Sequence, residues 1–198
     1  MSRFARGSLG AAILIAAACK PAARDEPPRY GRLPEFSLQD QLGRPVTRAG
    51  LAGRIWVADF IFTHCAGACP AMTARMARLR REVPDEVAFL SFTVDPANDT
   101  PEVLTRYAAN FNAGPRWRFV TGPPKELYAL STSGFKLAAM EVPPEEQKAG
   151  GDGPFLHSSK FVLVDGLGDV RGYYDSTDED DMKKLAADVA RIQSGPGS

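Results

Sequence analysis

An α/β sandwich is predicted by three features of the sequence. Two runs, "IWVADFIF" and "VAFLSFTV", are nearly continuous in apolar residues, each is followed by a segment of helical period, and a strand–turn–strand pattern near the end runs into an amphipathic helix. Continuous apolar runs suit strands covered on both faces, and strands alternating with helices build a largely parallel sheet. At 198 residues, 44% hydrophobic and 24% charged, the chain can bury one substantial core and is too short to favour two. Lys+Arg and Asp+Glu both number 24, so no basic field points to nucleic acid and no acidic excess points to disorder.

The elements follow in order. Arg3 and Arg6 precede an apolar stretch from Leu9 through Ala18 that ends in small residues, the pattern of an export signal over residues 1–18. The stretch is shorter than the roughly 18 residues a membrane span wants. Cys19 follows three alanines, as in a bacterial lipoprotein cleavage box, although Ala16 stands where that box usually has leucine. Lipidation at Cys19 would make residues 19–35, rich in proline and charge, a tether, and would place the domain, residues 36–195, on the periplasmic face of a membrane. A plain signal peptide and an uncleaved anchor are the alternatives.

"FSLQDQLGRP" alternates into a turn at Gly43 and predicts a first hairpin. "IWVADFIF" is the central strand, and a helix is expected from Pro70, with Met72, Met76, Leu79 and Val83 inward and arginines outward. After the second buried strand, Thr100 offers an N-cap and Pro101 a first helical position, with Val103, Leu104, Tyr107 and Phe111 on the apolar face. "WRFV" predicts a third strand and "PKELYALSTSGF" a short helix. "EVPPEEQKAGGDGP" has no period and reads as a mobile surface loop. "SKFVLVD" and "DVRGYY" flank Gly166 to Gly168 as a hairpin, and "TDEDDMKKLAADVARI" closes the chain as a helix with acids in its first turn. This order is that of a thioredoxin-like sandwich with an extra N-terminal hairpin and an insertion before the last hairpin.

Cys65 and Cys69 lie where the central strand ends and a helix begins, the place where open α/β sheets build their sites. A helix N-terminus favours thiolate, the form that binds soft metals and attacks disulfides, and both thiols are expected to face one exposed spot. If Cys19 carries lipid, they are the only thiols left, in a compartment where a disulfide persists. Two small buried residues would be the bland alternative. His64 adjoins Cys65 but should point to the opposite face, in a loop-orienting role. His157 precedes a strand that should neighbour the central one, at the end of the glycine-rich insertion. Two thiolates and an imidazole suit Cu(I), and also Cu(II) with an added oxygen, whereas a structural zinc wants a fourth ligand. Turn and capping chemistry accounts for Asp95 and Asp99, core packing for Met72 and Met76, and a solvated helix start for Asp178 to Asp181.

"FTHCAGACP", "FTVDPANDTPEVLTRYA" and "HSSKFVLVDGLGDVRGYYD" together resemble the Sco/SenC family of copper-binding, thioredoxin-fold proteins, across residues 36–192. The resemblance implies copper held by Cys65, Cys69 and His157, and delivery to, or thiol maintenance of, the binuclear copper site of cytochrome c oxidase, whose copper-accepting subunit would be the partner. Members commonly carry proline and an acidic residue between the cysteines, where this chain has Ala66 and Gly67. Two other classes compete. A thiol:disulfide oxidoreductase needs only the redox pair Cys65 and Cys69. A peroxide-type thiol enzyme needs a threonine-plus-cysteine loop that is absent. His157 discriminates, since copper uses it and exchange does not.

Overall fold

The computed structural model describes residues 26–65, 67–138, 140, 141, 155, 156 and 158–195. Cys19 and the export signal lie outside these residues, as does His157. Eight strands form one sheet in the order β1-β10-β9-β4-β5-β6-β2-β3. They are β1 (Gly31–Arg32), β2 (Ser37–Asp40), β3 (Pro45–Thr47), β4 (Trp56–Ile61), β5 (Ala88–Thr93), β6 (Trp117–Thr121), β9 (Lys160–Val164) and β10 (Asp169–Asp175), with β7 (Met140–Glu141) and β8 (Phe155–Leu156) paired separately. Every residue of β4 and β5 is buried, as their nearly continuous apolar runs require.

The expected first hairpin is present: β2 pairs antiparallel with β3, and Gly43 turns the chain at φ 72°, a conformation open to glycine. β4, β5 and β6 are parallel neighbours, joined through α1 (Ala68–Glu82) and α2 (Pro101–Asn110). Successive right-handed crossovers that advance in one direction put both helices on one face. α4 (Glu179–Gln193) joins that face, and its Glu179 pairs with Arg75 and Arg78 of α1. The opposite face carries an aromatic cluster in which Phe60 lies 5.4 Å from both Phe92 and Phe135. Phe135 follows α3 (Pro124–Ala129), which runs on into a π-helical turn over Leu130–Gly134 rather than ending as a simple short helix.

The inward stripe of α1 is as expected, with Met72, Met76, Leu79 and Val83 all buried. Its start is not: the helix begins at Ala68, so Cys69 is inside the first turn. Pro70 is still tolerated, because amides of a first turn have no intrahelical acceptor. Thr100 caps α2 by accepting from the Val103 amide, and Asp178 caps α4 by accepting from the amides of Asp180 and Asp181.

Two features depart from the sequence expectations. The second half of the proposed tether is laid on the domain: β1 pairs with β10, Leu33 is buried, and Arg29 and Arg32 bind Asp169 at 2.5 and 2.9 Å. The buried Arg171 donates to the Pro27 carbonyl at 2.6 Å and pairs with Asp165 at 2.9 Å. Proline-rich composition suggested a spacer because nothing local in it buries surface; the partners come from the last hairpin, far along the chain. The insertion also begins and ends in structure, since Met140 pairs with Leu156 and Glu141 with Phe155. Residues 142–154 lie outside the described part of the chain.

Candidate metal centre

β4 delivers the chain to the site edge, and a turn in which the Cys65 amide donates to the Phe62 carbonyl at 3.3 Å sets the first cysteine. Gly67 precedes α1 with φ −101° and ψ −111°, and the helix then carries Cys69 back beneath Cys65. The Cys69 amide, one of the free donors of the helix N-terminus, points at Cys65 Sγ over 3.4 Å. Both residues are free thiols. Both are buried, Cys65 5% and Cys69 0% exposed, so the expected exposed spot is corrected to a recessed one.

The thiolate expectation is corrected as well for Cys69. Burial pushes its thiol well up, and the nearby Cys65 and Asp59 push it further, while a hydrogen bond involving Phe62 opposes them only in part. Helix dipole and free amides favour thiolate only where the sulfur keeps contact with water; here the desolvation of a charged sulfur wins. A soft cation reverses that balance by taking the proton's place on sulfur. Two sulfurs brought together by one turn, with a backbone donor aimed at one of them, fit a soft metal better than a hard one.

His64 is exposed, and its ring lies with Asp95 and Asp99 in a group whose potential ligand atoms all fall within 4.8 Å of one another. Each member has local work. His64 Nδ1 is 3.4 Å from the Thr63 hydroxyl. Asp95 accepts from Asn98 Nδ2 at 2.9 Å and shapes the turn, as expected. Asp99 does more than the capping expected of it, because Thr100 caps α2. It accepts from the Thr63 hydroxyl and the Thr93 hydroxyl, each at 2.5 Å, and from the Thr63 amide. This carboxylate ties the loop that carries the cysteines to the end of β5. Burial raises the Asp99 carboxyl above its ordinary value despite those donors.

Asp59 lies in the middle of β4, inside an apolar run. It is fully buried, neither carboxylate oxygen has a hydrogen-bond partner, and burial pushes its carboxyl up to about 7. The signal was present in the sequence as a single carboxylate inside "IWVADFIF".

A thioredoxin-like domain that presents a reduced dithiol at the junction of its central strand and first long helix is the class that fold and site define. The SCO1/SenC family description matches residues 24–194, and the chain belongs to that family. It is 35% identical over 185 residues to the SCO1 protein homolog of Bacillus subtilis, covering 91% of this chain and 92% of that protein. A SCO1/SenC family lipoprotein from Bacillus anthracis superposes with a TM-score of 0.75 at 31% identity, over 87% of this chain and 100% of that one. The copper-bound ScoI of Bradyrhizobium japonicum gives a TM-score of 0.67 at 26% identity, over 82% and 99% of the two chains.

Proposed function

We propose that this protein is a membrane-tethered copper chaperone that holds copper through Cys65, Cys69 and His157 and assists assembly of the binuclear copper site of cytochrome c oxidase. The observation that carries this reading is the convergence of two reduced, buried cysteines within one turn at the end of β4. Family membership supports it, since the Sco family is described as one of cytochrome c oxidase assembly proteins, and a Stutzerimonas stutzeri relative 33% identical to this chain is described as a copper-binding protein. The copper-bound ScoI supports the choice of metal. Among the described residues no helix is long and apolar enough to cross a membrane. The lipid anchor on Cys19 and a periplasmic location rest on that segment's sequence, and the lipoprotein description of the Bacillus anthracis relative is consistent with them.

Burial of Cys69 favours a metal over exchange at that sulfur. The buried Cys69 sulfur, held as thiol, is a poor nucleophile itself, whereas a metal recruits it by displacing the proton. The test is an anaerobic Cu(I) titration of the reduced domain with competition for the metal and spectroscopy of the oxidised adduct. One copper per chain with two sulfur donors is expected. Absence of tight binding in the reduced protein would overturn the reading.

A further inference from the structure

The tether meets the domain at Glu26, and the place where it does so relates the membrane to one end of the sheet. Glu26 pairs with the buried Arg171 at 3.3 Å, and its carboxylate lies beside Gly195, just past the end of α4. Arg171 also holds Asp165 at 2.9 Å, the residue after β9, whose Val164 is paired with Trp56 at the start of β4. Glu26 therefore sits at the end where β4 begins, whereas the dithiol follows the end where β4 finishes. The strand alone separates these ends by about 17 Å, at the usual rise per residue. Cys19 stands seven positions before Glu26, so an anchor there lies at most about 25 Å from Glu26 even along a fully extended chain. A bilayer over the dithiol would require that tether to climb the whole height of the domain; a bilayer under the start of β4 requires nothing of it.

The surface at that end matches a lipid headgroup layer. Leu167, in the turn between β9 and β10, is 54% exposed and borders two hollows of about 320 and 250 Å³. Ile55, Ile192 and Arg29 line the first, and Arg32 and Arg48 the second. Arg54, also exposed, follows Gly53, whose amide donates to the Gly166 carbonyl at 2.8 Å beside that turn. Arg29 and Arg32 are about half exposed, while the carboxylates they bind, Asp165 and Asp169, are buried. The exposed acids of this end, Glu26 and Glu35, are taken by Arg171 and Arg48, so the charge turned outward is positive. A single exposed leucine is ordinary on a protein surface; one set between arginine-rimmed hollows, at the end where the tether joins, is the arrangement of an interfacial contact. We propose that this end docks on an anionic phospholipid bilayer, with Leu167 entering the interface and the hollows on either side of it receiving headgroup phosphates, so that the dithiol is held facing away from the membrane. This rests on the membrane tether of the proposed function and not on copper.

The experiment places a fluorescent amino acid at Ser194, exposed at the end of α4, or at Ala97, exposed in the loop between β5 and α2 at the dithiol end. Each protein, with its tether intact, is reconstituted in vesicles of phosphatidylglycerol and phosphatidylcholine that carry acceptor-labelled headgroups. Energy transfer to the lipid should be severalfold stronger from Ser194 than from Ala97, and equal transfer, or stronger transfer from Ala97, would overturn the proposal. Leu167→Asp, and vesicles of phosphatidylcholine alone, should each shrink that difference, because the tether then holds the domain without docking it. A difference that neither change affects would mean that the tether alone sets the orientation, and would overturn the docking face. Release of the wild-type chain from membranes would count against the tether itself. Cosedimentation of the released chain with phosphatidylglycerol vesicles then decides the face: Leu167→Asp should lower it severalfold, and absence of binding by the wild type would overturn the proposal.

Discussion

The amide of Cys69 donates to Sγ of Cys65 over 3.4 Å, so the first turn of α1 and the loop before it are joined at the dithiol. A metal-bound thiolate at Cys65 gains a backbone hydrogen bond there, which a helix start supplies without a dedicated side chain. Replacing either Cys65 or Cys69 with serine is therefore expected to abolish tight copper binding, because a hydroxyl poorly replaces a soft thiolate. Competition titration against a chelator of known affinity measures it, and a loss of about a hundredfold or more is expected in each variant.

His157→Ala should weaken copper binding and alter the Cu(II) spectrum while leaving exchange of the Cys65–Cys69 pair with a model disulfide within a modest factor. An imidazole ligand matters to the metal and not to sulfur attack on sulfur. Unchanged copper affinity in this variant would remove His157 from the ligand set.

Asp99→Ala strands two hydroxyl donors and the Thr63 amide at the mouth of the site. Leaving such buried donors unmade costs on the order of 2–4 kcal/mol, which denaturant unfolding of the reduced protein would register. The cysteine loop is untied from β5 by the same change, so copper affinity is expected to fall in parallel. Unchanged stability would show that the clamp contributes little.

Asp59 imposes a pH dependence on stability. In the unfolded chain its carboxyl titrates near pH 4, and in the fold it is held up to about 7. Below that window both states carry the proton and stability is full. As pH rises through it the unfolded state ionises first, and stability falls by on the order of 4 kcal/mol by neutrality. Asp59→Asn should lose this slope and be the more stable protein at neutral pH. Urea midpoints from about pH 4 to pH 8 test it, and parallel curves for the two proteins would contradict it.

Cys19→Ala is expected to leave the protein soluble or unprocessed, since a lipid on that residue is the proposed membrane hold. Fractionation of cells producing each form checks this. Full membrane retention of a cleaved Cys19→Ala protein would reject the lipid anchor.

The sequence by itself determined the order of elements and the location of the dithiol. The alternation before Gly43, the nearly continuous apolar runs of β4 and β5, the helical stripe from Met72 to Val83 and the Thr100 cap each depend on residues within one or two turns of each other, and such local chemistry is readable without a fold. Only the tertiary structure decided the chemistry around the cysteines. A helix N-terminus argues for a thiolate at Cys69 until α1 is seated on the sheet, where desolvation raises the thiol instead. Asp99 reads as a turn residue until β4 and β5 are paired and the hydroxyls of Thr63 and Thr93 both donate to it. Asp59 became an unpartnered buried carboxylate only when α1 and α2 covered its face. The segment before β2 became part of the domain only when Arg29, Arg32 and Arg171 found partners across the last hairpin. In each case the deciding quantity is the dielectric and the set of donors around a charge, and these are supplied by residues that meet only once the chain has folded.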